Sequence, residues 1–119
     1  MNPLKALKFF ADGDTVKIIA QCYQTPMSVK ELSIKYDIPI AGCYRRVRAL
    51  ERSGLIKCVE ERLSDKGKIV KIYRSSMKSA YITFSQGNMK LNFLMDDDAP
   101  EETHRVERNL DILAQYYPA

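Results

Sequence analysis

The apolar positions of this 119-residue chain follow two regimes, helical spacing up to about residue 53 and short β-type runs beyond it. Leu4, Leu7 and Phe10 recur at helical spacing behind Asn2-Pro3, a capping side chain followed by a proline suited to a first helical turn. Asp12-Gly13-Asp14 breaks that helix. Asp14 is placed to cap a second one, in which Val16, Ile19, Ala20 and Tyr23 share a face, with Ile18 and Cys22 alongside. Thr25-Pro26 ends it. Ser28-Val-Lys-Glu31 has the form of a capping box, in which the hydroxyl accepts from the third helical N–H while the glutamate reaches back to the cap N–H. The helix it opens carries Val29, Leu32 and Tyr36 and stops at Asp37-Ile38-Pro39, because Pro39 disfavours helical geometry at Ile38.

A further helix follows almost at once. Ile40, Cys43, Tyr44, Val47 and Leu50 lie at offsets 0, 3, 4, 7 and 10, one buried stripe, and Gly54 is its expected stop. The face opposite that stripe presents Gly42, Arg45 and Ala49, flanked by Ala41, Arg46, Arg48 and Arg52. Helical spacing assigns Tyr36 and Tyr44 to core packing over base stacking.

Beyond Gly54 the runs 55–63 and 69–74 surround Ser64-Asp-Lys-Gly-Lys68 and predict a hairpin with a basic tip. Tyr81–Ser85 and Met89–Met95, around Gln86-Gly87-Asn88, predict a second one. Asp96 to Pro100 reads as the lead-in to a last helix from about Glu101 to Tyr117, since acids and a proline suit a helix start. Its apolar residues Val106, Leu110, Leu113 and Tyr117 form a narrow stripe that suits pairing with another helix.

The net charge of +4 conceals a division along the chain. Residues 28–78 carry thirteen basic against six acidic side chains, a net of +7, and residues 79–119 carry three against seven. The basic block coincides with the helix pair and the first hairpin, so an anionic partner is expected there. The chain is poor in catalytic parts, with one His and no Trp, no Gly-rich phosphate loop and no nucleophile elbow, and the reading is a non-enzyme. No apolar run approaches a membrane span, and no secretory leader pattern opens the chain; the expectation is a cytoplasmic protein without a membrane partner. Cys22, Cys43 and Cys58 are odd in number and widely spaced, which suggests neither a disulfide framework nor a zinc knuckle. No cofactor or metal is expected.

Two short helices on a tight turn, a glycine ending the second and a hairpin directly after it compose a helix-turn-helix with a wing. The stretch from Met27 to Pro39, continuing through Cys43-Tyr-Arg-Arg-Val-Arg-Ala-Leu-Glu-Arg-Ser-Gly-Leu-Ile-Lys57 and closing at Lys71-Ile-Tyr-Arg74, resembles the winged helix-turn-helix of ArsR-type regulators, especially archaeal ones. The resemblance covers roughly residues 4–78, and MarR-like and TrmB-like regulators share its most specific part, Leu50-Glu-Arg-Ser-Gly-Leu-Ile56. It implies a winged helix-turn-helix over residues 1–78; with the second hairpin and the terminal dimerisation helix read from the pattern of residues 79–119, the expectation is an α+β fold in one compact unit. It further implies a homodimeric transcription regulator that binds double-stranded DNA. The thiolate metal sites of such regulators use closely spaced cysteines on the first helix of the motif, where this chain has Val29-Lys-Glu-Leu-Ser33.

On this reading the helix at 40–53 enters the major groove and the wing at 62–68 meets the backbone or minor groove. Arg45 is the candidate for a bidentate guanine contact. Arg46, Arg48 and Arg52 position the helix on the backbone, Ala41, Gly42 and Ala49 allow close approach, Arg62, Lys66 and Lys68 contact DNA from the wing, and Ser28 is counted with the DNA-binding residues. Leu4, Leu7, Val106, Leu110, Leu113 and Tyr117 are the expected dimer contacts. A rival reading is a winged-helix interaction module whose arginine face docks an acidic partner. A third has residues 79–95 and the acidic tail forming a surface for an unidentified effector.

Overall fold

A computed structural model describes the backbone of residues 3–96 and 103–111, as a mixed α+β protein with antiparallel sheets. Residues 7–76 form one compact unit; the strands from Met77 onward form another, which also takes in the start of the chain up to Ala6.

Helix α1 (Pro3–Ala11) is followed after one residue by α2 (Gly13–Gln24), strand β1 (Met27–Ser28), α3 (Val29–Tyr36) and α4 (Ile40–Ser53). Asp12, rather than Asp14, stands at the N-cap of α2; Asp14 lies in its first turn, where a negative charge suits the helix dipole. The capping box at α3 forms as its sequence requires: Glu31 N–H donates to Ser28 Oγ at 3.1 Å, and Ser28 N–H donates to Glu31 Oε1 at 3.3 Å. The helix ends at Asp37, which adopts a left-handed conformation with φ of 53°. The amide of Ile38 then donates to Ser33 O at 3.0 Å, and its side chain is buried. Pro39 precludes a helical continuation, so α3 and α4 meet across a tight turn. Gly54, with φ of 83°, terminates α4, and Leu55 N–H donates to Leu50 O at 3.0 Å.

Strands β2 (Ile56–Leu63) and β3 (Ile69–Ser75) form the expected hairpin, its tip closed by Ser64 N–H to Lys68 O at 2.8 Å and Gly67 N–H to Ser64 O at 2.9 Å. The positive φ of Gly67 is one that few other residues adopt, which fixes the turn at the Asp/Gly signal. Sheet order β1-β3-β2 arises because Met27 and Ser28 pair with Tyr73 and Ile72, a two-residue strand too short to show in the apolar pattern. The core gathers Ile18 and Cys22 of α2, Val29 and Leu32 of α3, Cys43, Val47 and Leu50 of α4, and Ile56 and Ile72 of the hairpin. Buried Ser75 donates to Leu55 O at 3.0 Å, tying the end of β3 to the corner after α4.

In the second unit β4 (Met77–Ser85) and β5 (Asn88–Asp96) pair around Gln86-Gly87, both at positive φ, as a two-residue hairpin turn demands. The terminal helix expected from Glu101 is not what residues 103–111 form. They make strand β6 (Thr103–Asp111), antiparallel to β5, with Val106 opposite Phe93 and Leu110 opposite Met89. An offset of four suits a helical face and, being even, one side of a strand equally well; the spacing of Val106 and Leu110 therefore did not separate the two periods. Leu113 and Tyr117, the other expected contacts of that helix, lie outside the described residues. Leu4 and Leu7 fall on α1, where Leu7 is half-buried.

Ser28→Ala should lower the unfolding free energy by about 1 kcal/mol, whereas Ser28→Asp, which keeps an acceptor at the cap, should retain most of it. Urea unfolding followed by circular dichroism checks the pair.

Candidate functional site

Helix α4 buries Cys43, Val47 and Leu50, spaced to form a single narrow stripe. Ile40 and Tyr44, expected in that stripe, lie outside it, 46% and 47% exposed. The packed seam therefore has two residues fewer than its periodicity implied, and the outward face is wider accordingly. Ala41, Tyr44, Arg45, Arg48 and Arg52 are exposed, while Gly42, Arg46 and Ala49 are half-buried along one flank. Tyr44, Arg48 and Arg52 follow one another at intervals of four, a single row along the helix. The Arg48 guanidinium stands 6.0 Å from the centre of the Tyr44 ring, within cation–π range, which orders both side chains on the surface.

Arg46 does something different from its neighbours. Its Nε donates to Asp12 Oδ2 at 2.7 Å, Nη2 lies 3.7 Å from Asp14 Oδ2, and Nη1 donates to Gly42 O at 3.1 Å. Thr15 Oγ1 donates to the same Asp12 oxygen at 2.6 Å. The expected phosphate contact is thus an internal clamp that ties α4 to the start of α2, with the arginine side chain only 19% exposed. Gly42 also has a different task from the close approach expected of it: a Cβ there would come within 2.9 Å of Arg46 Nη1, so the missing side chain leaves room for the guanidinium. The hydrogen bond from Arg46, with help from Thr15, lowers the Asp12 carboxyl from its ordinary 3.8 to about 2. The same hydrogen bond raises the Arg46 pKa further.

Ser28 is buried and its hydroxyl is engaged in the α3 cap, so it positions the helix pair and does not present a donor at the surface. Arg62 lies beside Glu60 on the same side of β2, donating through Nε at 2.8 Å and Nη2 at 3.0 Å, and both are exposed. That pairing cancels its charge locally and leaves the basic character of the hairpin tip to Lys66 and Lys68, both exposed. At the base of the tip Leu63 and Ile69 face each other in register and are also exposed.

Cys22 and Cys43 are buried thiols; burial, reinforced by Cys43 nearby, pushes the Cys22 thiol up to about 12, and burial raises that of Cys43. Both are protonated at neutral pH, and Cys43 Sγ donates to Val29 O at 3.5 Å. Cys58 is only partly buried. Among the described residues no three metal-ligating side chains come together, and no helix is long and apolar enough to cross a membrane.

The arrangement, then, is a helix face of three exposed guanidinium groups interleaved with an aromatic and small residues, in the same unit as a hairpin tipped by two ammonium groups. The pattern put Tyr44 and Ile40 in the buried stripe, and their exposure escaped it because periodicity gives the direction of a stripe and not its width. The row at intervals of four from Tyr44 was the available signal. No protein-family model matches the chain, and no curated protein matches it.

Because the Asp12 carboxyl is lowered in the folded state, its contribution to stability is complete above pH about 4 and is lost as pH falls toward about 2. Arg46→Ala should cost about 1 kcal/mol at neutral pH. Asp12→Asn should flatten the acid limb of the stability curve, as read from thermal melts between pH 2 and pH 5.

Proposed function

We propose that the chain is a sequence-specific DNA-binding transcription regulator of the winged helix-turn-helix type, with α3 and α4 as the helix-turn-helix and the β2–β3 hairpin as its wing. The observation that carries this reading is the outward row of α4, whose guanidinium groups stay exposed while Arg46 alone turns inward to the Asp12 and Asp14 clamp. A helix locked in rotation offers the same side chains to every partner, which is what recognition of base edges needs. The order of elements and the sheet order β1-β3-β2 support it by placing the hairpin directly after α4.

On this reading α4 lies in the major groove. Arg45 makes the bidentate contact to guanine; Arg48 and Arg52 neutralise phosphates; Ile40, Ala41 and Tyr44 supply apolar contact, of which a thymine methyl is the natural acceptor. Lys66 and Lys68 take the backbone beside the groove, and Leu63 and Ile69 lie against the sugars there. The regulator works as a cytoplasmic homodimer, one recognition helix per half-site, and blocks or recruits the transcription machinery from its operator.

A titration with random duplex should give affinity that falls steeply with salt; absence of binding at low salt, or preferential capture of an acidic polypeptide, overturns the reading. With a site selected from a random-sequence pool, Arg45→Ala should lose about 1–3 kcal/mol of preference for that site over random duplex, and Lys66→Ala should weaken both about equally. Fluorescence anisotropy with the two duplexes separates these outcomes.

A further inference from the structure

The second unit presents an edge of unusual chemistry. Sheet order β4-β5-β6 gives β4 a hydrogen-bonded neighbour on one side only, among the described residues. Seven successive residues of that strand, Ser79 to Ser85, carry no charge, and the uncharged run continues through the turn to Asn88. Within it Tyr81, Ile82 and Phe84 are 63%, 47% and 66% exposed, and since Tyr81 alternates with the other two, both sides of the strand show large apolar groups. Soluble proteins usually guard such an edge with central charges, a proline or a very short strand. β4 has none of these guards: it is nine residues long, and its one charged residue, Lys78, stands near its start. The opposite edge strand differs in kind, for the β6 sequence contains His104, Arg105, Glu107, Arg108 and Asp111.

We propose that β4 is a self-association edge, at which two copies of this chain pair antiparallel about a two-fold axis and join two three-stranded sheets into one of six strands. The occupant is a second copy because the edge is complementary to itself. A register irregularity between Met77 and Ser79 limits the regular stretch to residues 79–85, and the register that overlaps two such stretches completely centres on Ile82. It sets Tyr81 against a threonine and Phe84 against an alanine, aromatic beside smaller side chains, with no like charges opposed. The two Lys78 residues fall at opposite ends of the pair. Ser79, whose Oγ is buried without a hydrogen-bond partner among the described residues, comes opposite Ser85 of the partner subunit. An acidic or basic peptide would find no complementary charge along the stretch. The charged sequence of β6 limits further growth, so pairing closes as an isologous dimer.

This inference draws on the proposed function only for the expectation of a dimer, and its test contains no DNA, so either can fail alone. Sedimentation of the full chain at about 100 μM should give a dimer, and Ile82→Lys should raise the dissociation constant at least about tenfold. Equimolar Ile82→Lys and Ile82→Glu should associate again, which a merely unfolded variant cannot do. In the wild type, hydrogen exchange of the amides from Ser79 to Ser85 should slow with rising protein concentration. A monomeric wild type at that concentration, a fully dimeric Ile82→Lys, a mixture that stays monomeric, or exchange in β4 independent of concentration each overturns the proposal.

Discussion

The guanidinium of Arg46 fixes the rotation of α4 about its own axis, and most of what the first unit offers to a partner depends on that rotation. Three buried side chains, Cys43, Val47 and Leu50, hold one side of the helix to the core. The contacts from Arg46 to Asp12 and Asp14 hold a second flank, and the absent side chain of Gly42 makes room for them. Placing one cation in the clamp leaves Arg45, Arg48 and Arg52 outside it. A charge-assisted hydrogen bond is directional, so this clamp sets an angle as well as a distance.

The backbone plan was largely legible from local chemistry. The capping box at Ser28 and Glu31, the stop at Pro39, the glycine after Ser53 and the turn at Gly67 each follow from groups a few residues apart, and each appears where the sequence places it. The Gln86-Gly87 turn belongs to the same class. What escaped was non-local. Arg46 and Asp12 are thirty-four residues apart, and an arginine in a row of arginines carries no mark of its partner. Strand β1 exists only through its pairing with β3. Tyr44 and Ile40 lie at helical spacing with the core residues, yet how far round a helix the core reaches depends on what packs against it. At Val106 and Leu110 the pattern itself was ambiguous, and pairing with β5 decided for the strand.

The division of charge along the sequence takes on a sharper meaning in three dimensions. Of the basic residues in the block from 28 to 78, Arg46 is consumed by the clamp and Arg62 by Glu60. Exposed cations remain on the outward face of α4 (Arg45, Arg48 and Arg52) and at the tip of the hairpin (Lys66 and Lys68), with Lys30, Lys35, Lys57, Lys71, Arg74 and Lys78 exposed elsewhere in the block. The strand β4 is the opposite case, uncharged along its regular length and exposed on both sides. The two compact units thus display contrasting surfaces, one rich in exposed cations and the other an uncharged strand with exposed apolar side chains.

On the proposed function, α4 and the hairpin tip meet DNA with the face that the Arg46 clamp leaves outward. Backbone amide resonances followed by NMR during titration with duplex DNA at low salt test it most directly. Shifts should be concentrated at Ala41, Tyr44, Arg45, Arg48, Arg52, Lys66 and Lys68, with the amides around Asp12 and Asp14 little changed. Shifts spread evenly over the chain, shifts centred on another surface, or none at all would contradict it.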